Sequence, residues 1–472
     1  MKFGKLSLSL LCSVVLTGCA TDNRTGCGEY FAEDEAPSTG VCVREVKSNS
    51  NVAALIGAID LDLSMLIDMA LENNPETKHS WHLARIAKAH VGQASSAFYP
   101  TVIVGGQVAR TESNVPINKT TRQITLNTAY YPSVEIHYSL FQFGASRDIA
   151  EAAKQALCAA NCQYNRTIQT VIHDVQKAYF ALCSAESTVA AHEHNLNDAI
   201  VAHESAFMRY QSGLISIQEY LQAKANKSQT EFELERSRSF VESARAALAN
   251  AAGIKVSEAI YVLHPVIPPN TSDVDRSIDD IMSDVVRTRP DVAAAYANVR
   301  ANKYISKAAL AKIFPELVIG GTCSRKRHFN IPGNFDNFNI FVGFTWKIFD
   351  GFKNIYDILE VKEHLGIARQ DLRAAELRAQ TEVWTHYFAF KSANKQLQAA
   401  RVLEQSAKES FESMETSFEN GLCKFTDLMS AQSCLANARK QRIVSENNLL
   451  TSLSDLAYST GGVVGFDLIK NK

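Results

Sequence analysis

Beyond its first eighteen residues this chain has no run approaching the ~20 apolar residues of a membrane-spanning helix. If it crosses a membrane, it must do so with strands. It also lacks a charge excess. Lys and Arg number 48 against 50 Asp and Glu, a formal net charge of −2, which gives no reason to invoke nucleic acid. There is no glycine-rich phosphate loop and no candidate set of nucleophile and base, so neither an enzyme nor a bound cofactor is expected. Ten cysteines are present, yet Cys158, Cys162, Cys183, Cys323, Cys423 and Cys434 are scattered, without the two close pairs a metal finger needs. Buried thiols in helix seams are the expected reading. Glycine and proline are both missing from 145 to 212, and the stretch 353–420 contains only Gly366.

What fills those uninterrupted stretches is a 3.5-residue apolar period. Ile168, Val171, Val175, Ala178, Leu182, Ala185, Val189, Leu196, Ala199 and Ala206 recur in 4-3 alternation. The positions 208 residues later, from Leu372 to Phe418, are mostly apolar too. This is coiled-coil periodicity, and alanines on the seam permit close helix approach. His192, Glu193, His194 and His203 invite a metal reading. His192 and His203 fall on the seam itself, however, so packed or inter-helix hydrogen-bonded histidines are expected and no metal.

The 208-residue shift belongs to a duplication of the whole chain. Asn74-Pro75-Glu76 returns as Arg289-Pro290-Asp291, Phe98-Tyr99-Pro100 as Ile313-Phe314-Pro315, and Gly105-Gly106 as Gly320-Gly321. After one length change, Phe141 matches Phe349, Gly213-Leu214 matches Gly421-Leu422, and Gly253 matches Gly461. Each copy starts with a helix opened by Pro75 or Pro290 near its first turn. Each ends in a helical hairpin that turns at Gly213 or Gly421.

Between those helices lie period-two segments. Val134, Ile136, Tyr138 and Leu140 alternate with Ser133, Glu135, His137 and Ser139. Phe338, Ile340, Val342, Phe344, Trp346 and Ile348 alternate with Asn339, Phe341, Gly343, Thr345 and Lys347. Such faces suit lipid outside and water inside. Partner strands are expected at 101–112 and 316–328, with polar loops Ser113–Arg122 and His328–Asp336. Four amphipathic strands cannot span a bilayer alone, because their open edges would leave backbone groups unpaired in lipid. Three copies would supply twelve, an even number within the usual barrel range. The expected fold is mainly α with a membrane β-barrel contribution. Duplicated coiled-coil hairpins and four strands per protomer would close, as a homotrimer, into a 12-stranded barrel on an α-helical barrel.

The N-terminal segment is a targeting signal. Lys2 and Lys5 precede an apolar stretch from Leu6 to Val15, and Leu16-Thr17-Gly18-Cys19 resembles a bacterial lipobox. Cleavage before Cys19 and acylation of its thiol would anchor the chain to lipid, several acyl chains making the attachment stable. Ala20, in place of an aspartate, makes the outer membrane the default destination. Cys27 and Cys42 follow in a polar segment of an oxidising compartment, a plausible local disulfide. The segments expected are a signal at 1–18, an acylated linker at 19–59, a first repeat at 60–253, a linker at 254–275, a second repeat at 276–462 and a tail at 463–472.

The doubled helix starts, the Phe-Tyr-Pro and Phe-Pro junctions, Leu140-Phe141-Gln142-Phe143-Gly144 with Ile348-Phe349-Asp350-Gly351, and the two Gly-Leu turns together resemble the TolC/OprM-like outer-membrane efflux duct family. The resemblance covers about residues 60–462. It implies a trimeric channel-tunnel that carries solutes from an inner-membrane pump, through a periplasmic adaptor, to the exterior, with drug or metal efflux as the leading use. Protein secretion of the type I kind is an alternative, and a structural trimeric coiled-coil lipoprotein is the rival from another class. The resemblance places the periplasmic entrance at Tyr210–Ala223 and Phe418–Ala431. Glu219 and Asp427 fall at acidic turn positions, with Lys424 as the nearby base and Tyr210 and Phe418 as flanking aromatics. A gate built on these and ordinary solvated turn residues are both open readings. Gly213, Leu214, Gly421 and Leu422 are the candidate adaptor contacts, and simple turn geometry also accounts for them.

Overall fold

The computed structural model describes residues 62–116, 118, 122–256, 262, 278–329 and 333–462. Cys19, Cys27 and Cys42, the signal, the acylated linker, the tail and nearly all of the inter-repeat linker lie outside the described residues. The first repeat runs α1 (Leu63–Asn73), α2 (Pro75–Ser95), β1 (Thr101–Pro116), β2 (Arg122–Phe141), α3 (Ala145–Gln211) and α4 (Ile217–Ala252). The second runs α5 (Ile278–Thr288), α6 (Pro290–Ala311), β3 (Glu316–His328), β4 (Asn334–Thr345), α7 (Lys353–Glu419) and α8 (Phe425–Ser459). Both α3 and α7 have 67 residues without a break, a length of about 100 Å at ~1.5 Å per residue.

Local signals explain most boundaries. Asn74 caps α2 by accepting the Glu76 N–H at 2.8 Å, and Pro75 occupies the first turn, where its missing donor costs nothing. Each repeat then closes on itself. Gly253, with φ 70°, ends α4 so close to Asn74 that an added Cβ would stand 2.8 Å from the Asn74 nitrogen. Asn74 Nδ2 donates to the Ala251 carbonyl across the same junction. In the second repeat Gly461 takes that place against Arg289.

The core is distributed along the helices. Leu66 of α1 packs with Val171, Val175, Tyr179 and Leu182 of α3 and Leu248 of α4. Where α3 meets α6 the seam is Ala159 and Cys162 against Ala293, Ala294 and Ala297, small residues that let the two backbones approach. Helices this long are held by such packing rather than by propensity.

The strands form one antiparallel sheet of order β1-β2-β3-β4. Three expectations need correction here. Strand β1 continues to Pro116 and β4 starts at Asn334, so the hairpin connections are shorter than the polar composition suggested; ladder pairing out to Pro116↔Arg122 outweighs it. Strand β4 stops at Thr345, and Trp346 instead turns its Nε1–H to the Ile313 carbonyl at 3.0 Å. Finally, Cys162 and Cys183 are buried thiols, but Cys323 and Cys434 are exposed. Cys323 sits on a strand facing outward, where no helix seam exists to bury it.

Candidate functional site: hairpin tips and strand wall

At the first tip the chain leaves α3 through Gly213, whose φ of 73° is free of cost only for glycine. Gly213 N–H donates to the Tyr210 carbonyl and Leu214 N–H to that of Arg209. Ser216 then caps α4 in a reciprocal box. Its hydroxyl accepts the Glu219 N–H at 3.3 Å, and the Glu219 carboxylate accepts the Ser216 N–H at 2.9 Å. The second tip repeats the turn through Gly421 at φ 71°, but Lys424 stands where Ser216 stood. Lysine has no acceptor, so only the Lys424 N–H to Asp427 half of the box forms, at 3.4 Å.

The predicted entrance residues divide accordingly. Glu219 is committed to its own helix start. Asp427 is exposed, and among the described residues Lys424 forms no ion pair with either carboxylate. Tyr210 stacks on Tyr220, with ring centroids 5.5 Å apart, rather than reaching the second tip. Phe418 is 4% exposed and joins Ala206, Ala223, Phe425 and Leu428 in one apolar cluster. That cluster draws on all four long helices, so it fastens the two tips together. The Arg209 guanidinium covers the Phe418 ring at 4.2 Å, a cation–π contact that sequence reading missed. Leu214 and Leu422 are 74% and 80% exposed at the very ends.

Two polar clusters lie farther up, the first within the second repeat and the other between the repeats. Buried Arg289 donates to Asp291, Glu382 and the Ser459 carbonyl. His173 approaches Ser454 Oγ at 3.0 Å and Asp455 at 3.1 Å, a serine–histidine–aspartate set that the sequence does not reveal because 281 residues separate His173 from Ser454. The Ser454 hydroxyl donates to Gln176 and is buried, so the set works as a clamp between α3 and α8. Of the seam histidines, His203 packs on Tyr220. Burial lowers the pKa of His192 and leaves its Nδ1 without a partner. No group of side chains suited to a metal occurs among the described residues.

The sheet has two unlike faces. Val102, Val104, Val134, Ile136, Ile319, Phe338, Ile340 and Val342 share one of them, and most are well exposed. Ser133, Glu135, His137, Thr322, Ser324 and Asn339 share the other. Exposed aliphatic residues on one side of a sheet, with carboxylate and imidazole on the other, are what lipid and water demand. The fold and these surfaces define a membrane-inserted wall continued by a long helical tunnel wall. The comparisons with known proteins agree. The profile of the family described as outer membrane efflux protein matches residues 66–254 and 281–462, and this chain belongs to that family. Nodulation protein T of Rhizobium leguminosarum bv. trifolii is 22% identical over 95% of this chain and 96% of its own length. Outer membrane protein OprJ of Pseudomonas aeruginosa is 23% identical over 79% and 78%. The solved CmeC outer membrane channel of Campylobacter jejuni superposes with a TM-score of 0.74 at 20% identity, covering 85% of both chains. The protein is an outer-membrane efflux channel whose long helices form its periplasmic portion, and its family is one of channels rather than enzymes.

Proposed function

We propose that three copies assemble into a duct, with twelve strands closing in the outer membrane and the long hairpins closing into a helical tube below. The duct passively conducts solutes delivered by an inner-membrane pump through a periplasmic adaptor, with drugs or metal ions as the cargo. One observation carries the reading: among the described residues the sheet ends in two unpaired edges, β1 and β4, beside an exposed aliphatic face. Each backbone group left unpaired in hydrocarbon costs several kcal/mol, and closure with neighbouring copies removes that cost. An acyl group on Cys19 tethers each copy to the same membrane. The entrance lies at the hairpin tips, where Phe418 under Arg209 holds the tips together and Asp427, with Glu219, supplies the acidic rim. Leu214 and Leu422, beside Gly213 and Gly421, are the surface offered to the adaptor.

Heat-modifiable gel migration and planar-bilayer recording of the purified protein test this. A compact trimer that opens small, cation-preferring conductance steps is expected. A trimer shown to be inserted and yet silent would sink the channel reading and favour a structural lipoprotein.

A further inference from the structure

The water-facing side of the sheet carries an aromatic residue that neither lipid contact nor the tip machinery accounts for. Register puts Thr101, His137, Gly320 and Phe341 in one row across the four strands. The next row is Ile103, Glu135, Thr322 and Asn339. Phe341 thus belongs to the polar face, well inside the strand ends. Its ring does not stand away from the sheet. A Cβ placed on Gly320 would overlap the ring, lying 2.7 Å from one ε carbon and 3.1 Å from the other. A Cβ on Gly343, two residues along the same strand, would meet the ring edge at 3.7 Å. The phenyl group is therefore folded down onto a bed of two glycines, and 39% of the residue remains exposed.

We infer that Gly320 keeps this level of the barrel's lumen clear by letting Phe341 lie flat, so that a side chain at position 320 would make it a size limit on the solutes the exit admits. The inference rests on the trimeric duct proposed above. In a closed barrel three such rings line one level. Any side chain at position 320 forces the ring off the backbone, and the backbone beneath cannot yield without breaking the ladder. The open direction is the lumen. One methyl group per protomer would then convert a smooth wall into a ring of three phenyl groups pointing at the axis, a steric constriction of the kind that governs passage through pores.

The test must read the barrel apart from the tips. A reporter, Thr345→Cys, in a protein whose accessible thiols Cys323, Cys423 and Cys434 are replaced by Ser, lies on the same face between this level and the periplasmic end of the strands. Membrane-inserted full-length trimers are treated from the extracellular side with a small maleimide and with a polymer-linked maleimide, and the two labelling rates are compared. Gly320→Ala should slow the bulky reagent roughly tenfold and leave the small one unchanged, and adding Phe341→Ala should restore the bulky rate. Two variants keep the test decisive if Gly320→Ala does not assemble. Phe341→Ala alone should leave both rates unchanged, since a flat ring obstructs nothing. Asn339→Phe, opposite Thr322 with no glycine to receive it, should obstruct the bulky reagent. Should Phe341→Ala alone speed the bulky reagent several-fold, the ring already stands in the lumen and the inference fails while the duct stands. If even the small reagent never reaches Thr345→Cys, the duct reading fails and takes this one with it.

Discussion

Arg289 is the residue on which the second repeat turns. It is 2% exposed yet charged, and it is satisfied by two carboxylates and a carbonyl drawn from α6, α7 and the end of α8. A buried cation of this kind adds little net stability over an apolar substitute, but breaking it open leaves charges stranded. Arg289→Ala should therefore cost about 3–5 kcal/mol, read as a fall in denaturant midpoint, with Asp291 and Glu382 left unpaired. The same contact makes stability depend on pH. Burial alone would raise the Asp291 pKa, but the Arg289 guanidinium outweighs it and holds the carboxyl below its ordinary range. A lowered folded-state pKa means the contribution is complete above the unfolded value of about 3.9 and fades as pH falls through the lower folded one. Asp291→Asn should thus lose stability at neutral pH and flatten the acid limb of the stability curve below about pH 4. An unchanged acid limb would remove Asp291 from the account. None of this was visible in the sequence beyond the pattern Arg289-Pro290-Asp291, because Glu382 and Ser459 reach the site only through folding.

At the scale of elements the two hairpins differ in one residue that decides how firmly each is started. Ser216 completes a capping box with Glu219, whereas Lys424 leaves the Asp427 box half made. Ser216→Ala should cost about 1 kcal/mol, and Lys424→Ser should stabilise the start of α8 by up to roughly as much. Hydrogen exchange at the first turns of α4 and α8 measures both, and equal protection in wild type and Lys424→Ser would refute the asymmetry. The box was legible. Ser216-Ile217-Gln218-Glu219 is a plain S-x-x-E pattern, and reading Glu219 only as an acidic turn residue overlooked its local employment. The long helices were legible because a 3.5-residue period and missing glycine and proline act over 67 residues. Helices α1 and α5, at 11 residues each, escaped notice. Their apolar positions, such as Ile281, Met282 and Val285 in α5, span about three turns, too few to establish a period.

For the whole molecule, what matters is which tip charges face the permeating ion. Glu219 spends its carboxylate on the Ser216 N–H, so its field is partly consumed within its own helix. Asp427 is exposed, and its single backbone contact is long at 3.4 Å. In a trimer the Asp427 ring should therefore dominate cation preference, although sequence position alone ranks the two carboxylates equally. Rings of carboxylate favour cations through their summed field, and salt screens that field within about 10 Å at 0.1 M. Asp427→Asn should shift the reversal potential in a salt gradient toward zero, and more so at low salt. Glu219→Gln, which keeps the capping geometry, should shift it less. Phe418→Ala acts differently. Emptying the cluster under Arg209 should cost about 3–5 kcal/mol of packing and loosen the tips from each other, raising conductance with little change in selectivity. Planar-bilayer recording of the three variants separates these effects. A Glu219→Gln shift equal to that of Asp427→Asn would place both carboxylates in the ion path and show that the capping box opens in the assembled trimer. A Phe418→Ala channel with wild-type conductance would mean that the apolar cluster only packs the tips and has no part in setting the width of the entrance.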